Sequence, residues 1–239
     1  MSWRREYISR VEQSRNDNAR LLDCMAAMAN ELEFEYVSCG LRVVLPVPQP
    51  SMAVFGNFPD SWHKTYIEKG FVSHDPTFQH GLNSSLPMVW EERWTNDTKP
   101  FWDEAARHGL RYGWTVAMRP VSGCIGTFSF ARSQNSISVR ELDEKEPRML
   151  WNAHAVLASV SKQSLEQLIP EHNRSLSRRE KEVMRLTAEG KTASDIGTIL
   201  FLTERTINFH VANVMAKLGA TNKIQAAIKA VMLGMLSGN

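Results

Sequence analysis

The sequence predicts an α+β fold, with an N-terminal α/β/α sandwich around a five-stranded antiparallel sheet and a smaller all-α unit of four helices behind it. Three observations predict this. Val, Thr, Ile and Phe alternate through 112–119 and 124–132, with 120–123 between them as a hairpin turn. Runs with helical spacing of apolar residues precede and follow these strands, the layer pattern of an α+β domain. The last stretch carries four helix-cap signals at short intervals and no strand-like alternation. At 239 residues the chain has room for a larger domain ahead of the helical end, which sets the expected bounds at 1–168, a linker at 169–174 and 175–239.

In chain order, 5–14 and 18–32 read as helices, the second burying Leu21, Leu22, Met25, Met28, Ala29 and Leu32. Residues 34–46 and 52–55 read as strands. A helix then begins at Phe58-Pro59-Asp60-Ser61 with Ser61 as its cap, carrying Trp62 and Tyr66 one turn apart, and Gly70 ends it. Asp75-Pro76 starts another helix, with proline at the first helical position. A short strand at 87–90, a helix at 100–108 stopped by Gly109, and the hairpin follow. Ser138-Val139-Arg140-Glu141 is a capping box for a helix of roughly thirty residues, whose length invites pairing with a second copy. Pro170 marks the linker.

The helical end opens with a second capping box, Ser177 to Glu180, and an inner face of Val183, Leu186 and Thr187. Thr192 caps a brief helix with Ile196, Ile199 and Leu200 on one side. Phe201-Leu202 makes a turn, and Thr203 caps a third helix whose stripe is Ile207, Val211, Val214, Met215 and Leu218. Asn208, His210, Ala212 and Asn213 therefore face outward, small and polar enough to reach base edges. Ala226, Ala227, Ala230, Val231, Leu233 and Gly234 give a fourth helix a packing or pairing face. Two helices across a tight turn form a helix-turn-helix. From Glu171 onward basic residues outnumber acidic ones by four, while the rest of the chain carries a net charge of −2, so one end suits phosphate. Lys191, Thr192, Arg205, Thr206 and Phe209 complete the candidate DNA contacts; Arg178 and Arg179 read as solvated surface.

Several function classes find no support. The seven histidines never fall at metal-ligand spacing, so no metal and no cofactor is expected. There is no G-x-S-x-G elbow and no glycine-rich phosphate loop, hence no expected catalytic residue. Cys24, Cys39 and Cys124 stand far apart in apolar surroundings, as reduced buried thiols do. The charged stretch after Met1-Ser2 lacks the apolar core of a leader, and no segment approaches the ~18 apolar residues of a membrane span. A soluble, cytoplasmic protein without membrane contact is the expectation.

Trp62, Tyr66, Asp75, Pro76 and Trp90 set an ionisable group among rings. Two readings stand side by side. Asp75 caps its helix and the rings are core, or the rings wall a cavity in which an indole N–H donates to a carbonyl and Asp75 accepts an amide N–H. In the second reading the acid is satisfied only with a ligand bound, which couples binding to folding.

The segments Leu176 to Val183, Glu189 to Thr192 and Thr203 to Val211 resemble the DNA-binding domain of LuxR-type transcription factors without a gap. The resemblance implies a fourth helix used in dimerisation and a recognition helix at 204–218, with Glu180, Met184 and Gly190 at packing positions. Met184 stands where that pattern usually has Leu, a volume-conserving exchange. Trp62-x3-Tyr66, Asp75-Pro76, Trp90 and the Gly113 region resemble the acyl-homoserine-lactone-binding domain of LuxR-type quorum-sensing receptors. Segments 107–109, 113–114, 128–132 and 144–146 are most like an orphan receptor of that family. What this implies is an N-acyl-homoserine lactone as signal ligand, with Trp62 donating to the lactone carbonyl, Asp75 accepting the amide N–H and Ser129 donating to the acyl carbonyl. Tyr66 and Trp90 would line the acyl path, with Ser38 and Thr77 as further polar contacts. Phe58 departs from the pattern, which usually carries a Tyr there, so one hydrogen bond of ~0.5–1.5 kcal/mol is missing. A homodimer on an inverted-repeat promoter site, working with RNA polymerase, completes the implied reading. The rival is a phosphorylation-controlled response regulator with the same helical end; it needs a parallel sheet and an acidic cluster near the N-terminus.

Overall fold

The structure, a computed structural model, describes residues 3–14, 17–45, 52–120 and 122–236. Met1, Ser2, Pro46 at the expected end of the first strand and Val121 of the expected turn lie outside them. The chain divides into two compact units. One comprises Met1–Arg42, Met52–Pro120 and Ile125–Ser164; the other comprises Val43–Ser51, Val121–Cys124 and Leu165–Asn239.

The first unit opens with α1 (Trp3–Gln13) and α2 (Asn18–Glu31). The Asp17 carboxylate accepts from the Arg20 N–H and caps α2, whose buried face is Leu21, Met25, Met28 and Ala29. Leu22, expected in that face, is only half-buried, because it lies a residue off the stripe. Strands β1 (Tyr36–Val43), β2 (Met52–Gly56), β3 (Met88–Val89), β4 (Tyr112–Met118) and β5 (Cys124–Arg132) form one antiparallel sheet in the order β2-β1-β5-β4-β3. This is the expected five-stranded sheet, and its antiparallel pairing removes the parallel sheet that the response-regulator rival needs. Burial alternates along β1, so that Val37, Cys39 and Leu41 face one side while Ser38 and Gly40 face the other. On β5, Phe128 and Phe130 are fully buried, and Phe130 stacks on Phe34 at 5.3 Å. Thr127 and Ser129 therefore share the opposite face.

Three helices bear on that second face: α3 (Asp60–Glu68), α4 (Pro76–Asn83) and α5 (Lys99–Arg107). Pro59, not Ser61, is the N-cap of α3, and it makes no side-chain cap bond. The Ser61 hydroxyl instead lies 2.8 Å from His108 Nδ1, a partner 47 residues away. Helix α6 (Val139–Leu168) covers the other face, with Met149, Ala153, Val156, Leu157 and Val160 buried. Half of its expected capping box forms, since Glu141 N–H donates to Ser138 Oγ at 3.2 Å. The Glu141 side chain turns away to Arg132 Nη2 (2.7 Å) and Lys145 Nζ (2.8 Å), because a buried guanidinium binds a carboxylate more strongly than a backbone N–H does. Arg132 pulls the Glu141 carboxyl down to about 2.

In the second unit a short 3₁₀ turn at Pro170–Asn173 precedes α7 (Arg178–Ala188), α8 (Ala193–Leu200), α9 (Glu204–Lys217) and α10 (Lys223–Met232). Its core gathers Ile169, Val183, Met184, Ile196, Ile207, Val214, Leu218, Ala226 and Ala230. Ile199 is 47% exposed, a correction to the expected inner face of α8. The stripe there is Ile196 and Leu200, and an eight-residue helix has no further turn to bury Ile199. The face expected on α10 also splits. Ala226, Ala227, Ala230 and Leu233 are buried, whereas Val231 is exposed along with Ile224 and Ile228, one helical turn apart.

Candidate functional site

Between the sheet and α3–α5 lies a cavity of about 330 Å³. Ser38, Phe58, Trp62, Tyr66, Asp75, Thr77, Trp90 and Ser129, the eight residues singled out in the sequence, all line it. Its aromatic wall is tightly interlocked: Trp62 meets Phe101 edge-on at 5.5 Å and Tyr66 at 5.6 Å, and stacks on Phe71 at 5.8 Å. Phe58 packs edge-on against Tyr36 at 6.4 Å.

Asp75 does both things the sequence left open. It is the N-cap of α4, with Oδ1 accepting from the Thr77 N–H (2.8 Å), the Thr77 hydroxyl (2.7 Å) and the Phe78 N–H (3.4 Å). Among the described residues Oδ2 accepts only the Tyr66 hydroxyl, at 2.8 Å. A carboxylate oxygen has two acceptor positions, so Oδ2 keeps one for an incoming N–H. The expectation that this acid is satisfied only with a ligand bound is thereby corrected, because backbone and Tyr66 already pair it. Burial, then the Asp75 charge, pushes the Tyr66 phenol well above its ordinary range, so Tyr66 stays a donor.

A second polar thread runs behind the wall. The Trp90 indole N–H donates to Thr115 Oγ1 at 2.8 Å, and Thr115 Oγ1 lies 2.7 Å from Ser129 Oγ. Thr115 and Ser129 face each other across β4 and β5, which fixes the contact. When Thr115 donates to Ser129, the Ser129 proton is free to point into the cavity. Trp62 is the opposite case: its indole N–H makes no hydrogen bond among the described residues. Gly113 has a steric reason, since a Cβ there would collide with the Trp90 indole.

The sequence reading missed Thr115, Thr127, Gly40, Phe101, Ala105 and Leu110. Strand alternation could have found Thr115, which shares a face with Gly113. The helical residues needed knowledge of which turn of α5 faces the sheet.

On the helical end, the Thr192 and Thr203 hydroxyls cap α8 and α9, accepting from Asp195 N–H and Thr206 N–H at 3.2 Å each. The Thr192 hydroxyl and N–H also donate to the Asp195 carboxylate, which holds that acid below its usual range. Thr206 Oγ1 lies 2.8 Å from Thr203 Oγ1. Lys191, Arg205, Asn208, Phe209 and Ala212 are exposed; His210 and Asn213 are half-buried. Lys191 and Arg205 have no ion-pair partner among the described residues, whereas Arg178 and Arg179 both bind Glu182, at 3.2 and 2.7 Å. Gly197, unremarked in the sequence, sits where a Cβ would lie 2.7 Å from the Leu202 carbonyl, so the α8–α9 turn closes only over glycine. Glu180, 4% exposed, accepts from the Ser177 N–H and Lys217 Nζ, both at 2.7 Å, and ties α7 to α9. Burial raises its pKa, but those bonds outweigh burial and hold it below the ordinary value.

Among the described residues no three His, Cys, Asp or Glu side chains gather as a metal site, and no helix is long and apolar enough to cross a membrane. Cys39 and Cys124 are buried, Cys24 half-buried, and all three are free thiols. Burial pushes the Cys124 thiol up to about 11.

Comparison with known proteins agrees with this division. Residues 17–160 match the autoinducer binding domain, and residues 174–230 match the luxR family of bacterial regulatory proteins. The transcriptional activator protein AnoR of Acinetobacter nosocomialis is 38% identical over 237 residues, covering 98% of this chain and 99% of the relative. The crystal structure of Escherichia coli SdiA superposes with a TM-score of 0.83 at 32% identity, covering 99% of both chains. SdiA in complex with octanoyl-rac-glycerol gives 0.81, also at 32% identity, over 100% of this chain and 97% of that one.

Proposed function

Since the chain belongs to the LuxR family of autoinducer-binding transcription regulators, whose members are regulators and not enzymes, we propose that its signal is an N-acyl-homoserine lactone held in the cavity at α3–α5. The observation that carries this reading is the cavity's inventory of unused hydrogen-bonding groups. Trp62 offers an unpaired indole donor, Ser129 a hydroxyl, and Asp75 Oδ2 one spare acceptor, among aromatic walls. An acyl-homoserine lactone presents the complement: carbonyl oxygens, one amide N–H and an apolar chain. In this reading Trp62 donates to the lactone carbonyl, Asp75 accepts the amide N–H and Ser129 donates to the acyl carbonyl. Tyr66, Trp90 and Phe58 flank the chain, with Ser38 and Thr77 as further polar contacts. The SdiA complex, whose ligand is also an acyl chain on a small polar head, supports a pocket of this kind.

The ligand-binding domain is 1–168, 169–174 the linker, and 175–239 the DNA-binding domain. The protein works in the cytoplasm as a homodimer on an inverted-repeat promoter site and contacts RNA polymerase there. The exposed stripe Ile224, Ile228 and Val231 on α10 supports pairing of two copies. Pairing sets two α9 helices about one helical turn apart, ~34 Å, as a two-fold site requires. Lys191 and Arg205 contact phosphates. Asn208, Phe209, His210, Ala212 and Asn213 face the groove, beside Thr192 and Thr206 at the helix starts. Ligand binding acts by linkage, since occupancy stabilises the folded dimer that grips DNA.

The test is incubation of the full chain with lactones of short to long acyl chain, followed by thermal melting and recovery of the ligand. A matched lactone raises the melting temperature, is recovered intact, and promotes binding to inverted-repeat DNA. The reading fails if no lactone stabilises the protein and none copurifies from a lactone-producing culture.

A further inference from the structure

Across the cavity face of the sheet, side chains thin out toward one edge. Gly40 on β1 pairs with Val54 on the edge strand β2, and paired residues point to one face, so both line the cavity beside Thr127 and Ser129 of β5. Gly40 leaves a gap there. Among the described residues a Cβ added to it would meet only the Thr127 hydroxyl, at 3.0 Å, and its φ lies outside the left-handed region, so the backbone does not demand a glycine. Beyond the gap the lining becomes apolar and open to water. Met52 is 40% exposed, Val54 41% and Ile67 of α3 72%, although all three line the cavity. Arg42, paired with Met52, is drawn aside, with its guanidinium 4.1 Å from the Phe78 ring centroid and donating to the Val72 carbonyl at 2.8 Å. The other side of the cavity is closed, since Trp62, Trp90, Leu110 and Ser129 are all buried.

Resting on the lactone reading above, we propose that the ligand is a long-chain acyl-homoserine lactone, of about ten to twelve acyl carbons, whose tail crosses Gly40 and ends in the mouth formed by Met52, Val54 and Ile67. Gly40 then decides which chain lengths are admitted. Neighbouring strands lie ~4.8 Å apart, so β2, two strands over from β5, is roughly 10 Å from Ser129. A zigzag of ~1.5 Å carbon bonds advances ~1.3 Å per carbon, and about eight carbons beyond the acyl carbonyl therefore reach β2. A butanoyl chain stops over β5 and β1 and leaves the mouth wet. A dodecanoyl chain covers it, and each methylene taken out of water is worth about fourfold in affinity.

Butanoyl-, octanoyl- and dodecanoyl-homoserine lactone are the probes, titrated calorimetrically into the full chain and into Gly40→Val and Ile67→Ser. In the wild type, affinity climbs along the series, and the dodecanoyl form binds at least about a hundredfold more tightly than the butanoyl form. Gly40→Val places a residue that strands favour in the gap, and it lowers the dodecanoyl-to-butanoyl affinity ratio at least about tenfold. Ile67→Ser, at an exposed position that leaves the fold intact, lowers that ratio at least about threefold. Unchanged urea midpoints of the unliganded variants check their folding, and Ile67→Ser decides alone if Gly40→Val does not fold. The proposal is overturned if the butanoyl or octanoyl lactone binds the wild type more tightly than the dodecanoyl one, or if a folded variant leaves the ratio unchanged. Binding of short lactones alone overturns the chain length and leaves the lactone reading standing; if none of the three binds, the lactone reading falls and this inference with it.

Discussion

Asp75→Asn separates the cap from the proposed ligand contact, because in that reading the two use different oxygens of one carboxylate. Asn keeps a carbonyl oxygen for the Thr77 N–H and hydroxyl, and as a helix cap Asn ranks with Asp. The Tyr66 hydroxyl, now opposite an amide, can turn from donor to acceptor, so the unliganded fold loses about 0.5 kcal/mol or less. The ligand fares worse. Its amide N–H meets an NH₂ group in place of a charged oxygen, which forfeits a charge-assisted bond of about 1.5–3 kcal/mol, or roughly 10- to 150-fold in affinity. Asp75→Ala removes the cap, at about 1 kcal/mol, and also strands the buried Tyr66 hydroxyl, at about 1–3 kcal/mol, so it weakens the fold as well as the ligand. The assay is a urea titration of the unliganded chain beside calorimetric titration with the matched lactone. If Asp75→Asn binds the lactone as tightly as the wild type, the carboxylate is a cap and nothing more. If instead Asn destabilises the unliganded fold as much as Ala does, the division of labour between Oδ1 and Oδ2 is wrong.

Four further outcomes follow from the same geometry. Thr115→Val breaks the thread from Trp90 to Ser129 and leaves an indole N–H buried and unpaired; denaturation should register about 1–3 kcal/mol of lost stability, and lactone affinity should fall although Thr115 does not line the cavity. Phe58→Tyr restores a hydroxyl at the cavity wall and should tighten binding of at least one lactone by about 0.5–1.5 kcal/mol, so an unchanged response to all of them counts against the assignment. Lys191→Ala should weaken binding to every DNA sequence alike and lower the salt slope by about 1, while Asn208→Ala should relax base preference; equal effects in a salt-dependent binding series would refute both roles. Glu141→Gln leaves Arg132 buried without its charge partner and should cost about 3 kcal/mol at neutral pH. Because the folded Glu141 pKa is depressed to about 2 from 4.5, wild type gains this stability above pH 4.5 and loses it as the pH falls toward 2, so the two proteins' urea midpoints should converge on acidification.

Local chemistry was legible in the sequence, and long-range choice was not. Ser177, Thr192 and Thr203 cap as read, because a cap needs only the next three residues. Ser61 carried the same local signal, but Pro59 took the position, and the Ser61 hydroxyl found His108 across the fold. Glu141 was drawn off its cap in the same way by Arg132. On α10, helical spacing marked Ala226, Ala230 and Val231 alike as apolar, yet periodicity carries no sign of which stripe meets the core. The small residues went inside, where helices approach closely, and Ile224, Ile228 and Val231 stayed out. Trp62, Tyr66, Asp75 and Trp90 were named because aromatic and acidic side chains are conspicuous, whereas Phe58, Ser38, Thr77 and Ser129 came only from the family resemblance; Thr115, an ordinary strand residue, was hidden by its ordinariness.

What the proposed lactone would contribute follows from what the cavity already has. Asp75 is paired by backbone and Tyr66, and the thread through Thr115 satisfies Trp90, so the walls stand without a guest. The ligand therefore does not rescue an unpaired charge. In the proposed complex it would give the Trp62 indole an acceptor and fill a cavity of about 330 Å³. A guest that binds only the folded state adds about 2.7 kcal/mol at a hundredfold excess over its Kd. That is a large share of the ~5–15 kcal/mol of a typical domain, so occupancy of this size would be felt as a marked gain in stability. Selectivity then rests on the few unused groups. A ligand lacking the amide N–H leaves Asp75 Oδ2 no worse off than before and should still fill the void. At equal concentration its weaker Kd should stabilise the fold less, by about 1.4 kcal/mol for each tenfold loss of affinity, so a smaller rise in melting temperature is the expected result.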